Sequence, residues 1–177
     1  MNYAGVGSRR TPATILKQMK QIGYELGIAT TNNKSWILNT GGAAGADQAF
    51  CEGASAAGGK VQVFAPTWYT VHGCSYDVKK ITDIPPGAYS IAQRFHPAWG
   101  RLSSGAKALM ARNILVLLGE SFIEPVRFVV AWTPNGKMVG GTGHTLRAAS
   151  DFNIPVFNLN DMSAAKVIEH AIKLLEQ

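Results

Sequence analysis

The sequence predicts an α/β protein: a three-layer sandwich around a mostly parallel sheet of about five strands. Three observations carry that expectation. Short apolar runs alternate with helical patterns along most of the chain, and its 177 residues are 46% hydrophobic and 16% charged with 19 glycines. Three glycine-rich turns, Gly5-Val6-Gly7-Ser8-Arg9-Arg10, Gly41-Gly42-Ala43-Ala44-Gly45-Ala46-Asp47 and Gly140-Gly141-Thr142-Gly143-His144-Thr145, each follow a strand-like run and precede a helical pattern. Strand and helix in alternation imply parallel strands joined by right-handed crossovers.

Residues 2–6 read as the first strand. Thr11-Pro12 then opens a helix, Thr as N-cap and Pro in the first turn, with Ile15, Leu16, Met19, Ile22 and Leu26 on one face. Residues 36–38 form a second strand, 46–57 a helix of small residues suited to close packing, and 61–65 a third strand ended by Pro66. From 67 to 102 the pattern dissolves into aromatics, prolines and glycines. An insert of that length inside a compact domain is functional or carries short elements of its own. Ser103 or Ser104 caps a helix running through Ala106, Leu109, Met110, Asn113 and Leu117 to a stop at Gly119. Residues 114–118 taken alone also pass as a strand, but the 3.6-residue spacing continues across them and favours helix. A fourth strand spans 126–132, a helix 145–152, a fifth strand 155–159 and an amphipathic helix 161–175. A single domain over 1–177 accommodates all of this, without repeats or low-complexity tracts.

Seventeen Lys and Arg against eleven Asp and Glu give a net charge of +6, which suits an anionic ligand but is too modest to specify nucleic acid. Cys51 and Cys74 do not form a CxxC pair, and Cys51 falls in a helix as a small buried hydrophobe, so neither a disulfide nor a zinc site is expected. The four histidines, at 72, 96, 144 and 170, lack metal-ligand spacing, and no metal or cofactor is expected. No run of about 18 apolar residues offers a membrane span and no signal segment is visible, which makes a reducing cytoplasm, of a cell or of a virus-infected host, the default.

The glycine turns carry the chemistry. Glycine lets backbone N–H groups approach an anion, and the helix N-terminus behind each turn adds unpaired donors and the positive end of a macrodipole. At the first turn, Gly5, Gly7, Ser8 and Arg9 offer backbone, hydroxyl and guanidinium contacts to phosphate; the alternative is a solvent-exposed helix entry. At the second, Gly41, Gly42 and Gly45 form a cradle or simply satisfy a turn, and Asp47 caps its helix or bonds a ribose hydroxyl. At the third, Gly140, Gly141 and Gly143 supply amides, while Thr142 and Thr145 add hydroxyls. His144 either donates to phosphate or stands exposed to solvent, its neutral form favoured by the helix dipole. Trp132 and Thr133 end the fourth strand at the ligand edge. Trp68, Tyr69, His72, His96, Trp99 and Arg101 belong to the insert and form either a lid stacking on a base or a satellite core.

In series, these three turns resemble the motifs of the SLOG superfamily of Rossmann-like proteins, which includes the DprA/Smf family and the LOG "lysine decarboxylase-like" phosphoribohydrolases. The resemblance covers nearly the whole chain. Its first half is most similar to DprA, and the His96-Pro97-Ala98-Trp99 segment is similar to phage-encoded members. The second half resembles the LOG enzymes, whose Met-x-x-Arg-Lys and Pro-Gly-Gly-x-Gly-Thr-x-x-Glu motifs have partial echoes in Met110-Ala111-Arg112-Asn113 and Gly140 to His144. That echo singles out Arg112, with a surface arginine as the alternative. Where the enzymes carry a catalytic glutamate this chain has Leu146 and then Arg147, so the resemblance implies the fold and the nucleotide site more strongly than the hydrolysis. If the protein is an enzyme, Asp47, Arg112 and, as runner-up, Glu52 are its candidates. The resemblance further implies a ligand at the C-terminal strand ends and a homodimer. Binding of a nucleotide or nucleotide-derived molecule is the leading expectation. DprA-like binding of single-stranded DNA and N-glycosidic cleavage of a nucleoside monophosphate are the alternatives.

Overall fold

The computed structural model of the chain describes residues 1–31, 33–75 and 78–177. Six strands form one sheet: β1 (Asn2–Gly5), β2 (Ile37–Thr40), β3 (Lys60–Phe64), β4 (Val78–Ile81), β5 (Val129–Ala131) and β6 (Val156–Asn158). Their order is β4-β3-β2-β1-β5-β6 and every neighbouring pair is parallel. Register places Asn2 beside Ile37 and Gly5 beside Val130. Chain order therefore reverses direction across the sheet between β1 and β5, which makes a topological switch point there.

Among the described residues six α-helices cover the two faces: α1 (Ala13–Ile28), α2 (Ala46–Ala56) and α6 (Ala164–Glu176) on one, α3 (Pro86–Arg94), α4 (Ser104–Leu118) and α5 (Gly140–Asp151) on the other. The strands' period of two divides the core. Phe128 and Val130 pack under α1, α2 and α6, whereas Val129 and Ala131 pack under α3, α4 and α5. Helices α1 and α2 cross on glycine: a β-carbon at Gly23 would lie 2.5 Å from the Phe50 carbonyl oxygen, and one at Gly53 would run into the Lys20 carbonyl. Among the described residues, no helix is long and apolar enough to cross a membrane.

The α/β class, the parallel sheet and the helical reading of residues 114–118 agree with the structure. Those five residues are all buried, because α4 lies on the sheet between α3 and α5; a helix apolar on every side mimics a buried strand. Ser103 caps it, accepting a hydrogen bond from the Ala106 amide at 3.2 Å. Elsewhere the structure corrects the sequence. The insert contains β4 and α3, and its residues 76 and 77 lie outside the described residues. Lys79 and Lys80 in the middle of an edge strand erase the apolar signal that marks the inner strands. Thr11 is not the cap of α1; Pro12 takes that position and the Thr11 hydroxyl instead donates to the Ser8 carbonyl at 2.9 Å. The third glycine turn is not a loop, since α5 starts at Gly140 and the glycines form its first turn. The cysteines are joined: Cys51 and Cys74 form a disulfide with their Cα atoms 4.9 Å apart. The chain after β3 doubles back along α2 and brings Cys74 to it, a tertiary return that a spacing of 23 residues does not reveal.

Candidate functional site

The C-terminal ends of the strands hold a cleft of about 760 Å³ at the switch point between β1 and β5, within the size range of small-molecule sites. One wall is built by the turns after β1 and β2. The Ser8 carbonyl accepts from the Thr11 amide (3.3 Å) and, across the chain, from the Ala46 amide (3.4 Å), so the two turns are stapled together. Ser8 Oγ accepts from the Arg10 amide at 3.0 Å. Arg9 and Arg10 project from this wall exposed.

Arg112, on α4, forms the floor. Its side chain is only 8% exposed and its guanidinium lies over Gly41, where an added β-carbon would fall on Nη1. The Asp47 carboxylate, equally buried, stands 3.8 Å from Nη1, beyond hydrogen-bond reach. Asp47 Oδ2 instead accepts from the Ala43 amide at 3.3 Å and so braces the second turn. Among the described residues the buried Arg112 Nε and Nη1 atoms have no hydrogen-bond partner, while the Tyr69 ring centre lies 5.5 Å from Cζ. Burial pushes the Asp47 carboxyl above its ordinary range, opposed by Arg112, and pulls Arg112 down, opposed by Asp47; a guanidinium remains charged all the same. Leu109 and Asn113, three residues before Arg112 and one after it, line the cleft from the same helix.

The opposite wall is the start of α5 with the end of β5. Gly140, Gly141 and Thr142 line the cleft, and as first-turn residues their amides precede the first helical acceptor. Thr145 Oγ1 donates to the Gly141 carbonyl at 3.1 Å. The Thr133 hydroxyl accepts from Asn158 Nδ2 at 2.8 Å, which leaves its own proton for the cleft. Trp132, Lys137 and Val139 complete this side.

Of the residues singled out in the sequence, Gly7, Ser8, Arg9, Gly41, Asp47, Arg112, Thr133, Gly140, Gly141, Thr142 and Thr145 meet around this cleft. Gly5, Gly42, Gly45 and Gly143 are packing positions outside its lining: a β-carbon would strike Phe50 at Gly5, Val71 at Gly42, the Arg9 backbone at Gly45 and the Met138 backbone at Gly143. His144 is neither exposed nor aimed at the cleft. It is fully buried, with Nε2 3.0 Å from the Ala92 carbonyl oxygen, and burial lowers its pKa. Glu52 pairs with Lys20 at 3.1 Å and takes a hydrogen bond from Gln48, away from the cleft. Among the described aromatic residues of the insert, Tyr69 alone lines the cleft; Trp68 is exposed, and His96 packs with Trp99 and His144. Leu109, Lys137 and Val139 were missed, although the helical spacing of Leu109 from Arg112 signals a shared face. Arg147 donates to the Phe95 and Met138 carbonyls at 3.1 and 3.0 Å. Among the described residues no group of three or more His, Cys, Asp and Glu side chains could hold a metal ion.

No family model matches this chain, and no curated protein matches it by sequence. Solved structures do share the fold. The Moco carrier protein of Chlamydomonas reinhardtii superposes with a TM-score of 0.62 at 18% identity, covering 99% of this chain and 98% of that one. A further structure of that molybdenum cofactor carrier gives a TM-score of 0.59 at 16% identity, with the same coverage. The crystal structure of TM1055, a structural-genomics target, gives 0.52 at 18% identity over 88% of this chain and 71% of its own. At these identities the likeness is one of fold: a Rossmann-like α/β sandwich.

Proposed function

We propose that the protein binds a nucleotide or nucleotide-derived molecule in this cleft, its phosphate shared between Arg112 and the amides at the start of α5. The observation that carries the reading is Arg112: a buried guanidinium whose Nε and Nη1 lack partners demands an anion, because an unpaired buried donor is costly. Arg9, Arg10 and Lys137 add positive charge around Asp47, the one carboxylate lining the cleft among the described residues. Trp132, Leu109 and Val139 provide apolar surface for a flat base. The shared fold with a protein named as a cofactor carrier is a precedent for binding in this architecture. The DprA-like and LOG-like features of the sequence support membership of the SLOG group.

Binding without hydrolysis is the reading we favour. Leu146 is buried and Arg147 is committed to two carbonyls, so neither replaces the glutamate of the LOG loop. A cleft of about 760 Å³, within the size range of small-molecule sites, supports a mononucleotide over single-stranded DNA. We further propose a homodimer through α1 and α6, where Tyr24, Ile28 and Ile172 are exposed; sedimentation at twice 18.9 kDa is the expected result.

Calorimetric titration with adenosine 5′-monophosphate (AMP), adenosine and a deoxythymidine oligomer tests the assignment. One-to-one binding of AMP, much weaker binding of adenosine and no release of free adenine are expected. Affinity that grows with strand length and falls steeply with salt would assign the cleft to single-stranded DNA instead.

A further inference from the structure

The segment between β3 and β4 crosses from the mouth of the cleft to the flank of α2. At its cleft end, the Tyr69 hydroxyl is 3.4 Å from Arg9 Nη2 and the ring lies beside the Arg112 guanidinium. At its far end, Cys74 is bonded to Cys51 in the buried interior of α2. Between them the chain has no helix or strand. Among the described residues its ties to the turn after β2 and to α2 include a hydrogen bond from the His72 amide to the Gly42 carbonyl at 3.0 Å, the packing of Val71 against Gly42 and an exposed bond from the Ser75 amide to Ser55 Oγ at 3.2 Å, while Tyr69, Val71 and Cys74 lie partly buried against the core. Gly73, at φ +73°, lets the chain lie against the Gln48 backbone just before the disulfide.

We infer that the Cys51–Cys74 disulfide holds Tyr69 over Arg112, and that its reduction frees this segment and opens the guanidinium to solvent. Cys74 is half-buried and Cys51 fully buried, so a dithiol reductant attacks the outer sulfur. One reductant thiolate bonds to Cys74 Sγ and expels Cys51 as thiolate, which takes a proton. The second reductant thiol then closes on the first, releasing Cys74 as thiol; two electrons and two protons pass to the protein and the reductant leaves as its own disulfide. The consequence for affinity rests on the nucleotide reading of the cleft, whereas the placing of Tyr69 does not. If the closed arrangement falls to about a tenth of the population, apparent affinity falls about tenfold.

The test uses the ligand-free protein. Phenylglyoxal modification, mapped by peptide mass, is compared between the oxidised protein and the Cys51→Ala/Cys74→Ala variant. Hydrogen exchange is followed on the natural chain before and after phosphine reduction. The expected result is about tenfold faster modification of Arg112, with Arg127 unchanged, and faster exchange across residues 67–75 with α6 unaffected. Equal Arg112 reactivity in the two forms overturns the inference. So does acceleration of exchange throughout the chain, since the disulfide would then support the fold at large. AMP titrated in both redox states should bind more weakly to the reduced form, and equal affinity overturns the gating. Binding to neither form would refute the nucleotide reading, while Arg112 reactivity would still decide the inference.

Discussion

The two walls of the cleft use glycine for opposite purposes. On the β1 and β2 side the glycines are crowded: a β-carbon would lie 2.5 Å from Ala46 Cβ at Gly7 and 2.7 Å from Arg9 Cα at Gly45, and would fall on the Arg112 guanidinium at Gly41. On the α5 side the two glycines that line the cleft are open: among the described residues nothing lies within 4 Å of such a carbon at Gly140 and only Met110 Cε, at 3.5 Å, at Gly141, whereas Gly143, outside the lining, is crowded by the Met138 backbone. Identical sequence signatures therefore do different work. The first wall needs glycine so that two turns can abut and seat an arginine; the second keeps its amides bare toward the cleft.

Substitutions on the two walls separate these purposes. Gly45→Ala combines a left-handed backbone, φ +88°, with contact against immobile backbone, and should cost about 3 kcal/mol in denaturant unfolding from strain and overpacking together. A stability close to that of the natural chain would show that the stapled turns are not rigid. Gly141→Ala meets only the end of a flexible methionine and gains helix propensity, so its unfolding midpoint should hold or rise. Its affinity for AMP should nevertheless drop about tenfold, a loss of about 1.4 kcal/mol. Unchanged affinity would show that the phosphate does not lie against the Gly141 backbone.

The smallest effect concerns His144, behind the open wall. Burial lowers its pKa in the folded state, with Arg147 and His96 adding repulsion and the Ala92 carbonyl opposing. The unfolded chain therefore takes up the proton first, and stability should fall as pH drops below about 6.5 toward the folded value. His144→Gln should flatten that limb of the pH–stability curve. An unaltered curve would assign the acid sensitivity to other groups.

Much of this was legible in the sequence for a physical reason. Inner parallel strands are apolar runs bounded by turns, and glycine turns mark where they end, so β1, β2 and β3 could be placed from the chain alone. The edge strand β4 escaped because Lys79 and Lys80 face solvent. Which glycines line the cleft also escaped, since crowding at Gly5 by Phe50 or at Gly143 by Met138 is a tertiary fact. The burial of His144 under α3 and the return of Cys74 to α2 depend on how the insert folds, and its composition carries little of that. Arg112 was reached through a partial motif, and its orphaned donors became visible only with its surroundings.

The central claim is that Arg112 waits for an anion, and its most direct test is calorimetric titration of AMP into the natural chain and Arg112→Gln. Loss of a buried charge-assisted contact should weaken binding by about 3 kcal/mol, or about 100-fold, with the fold retained by circular dichroism. Affinity of the variant within about twofold of the natural chain would contradict the account.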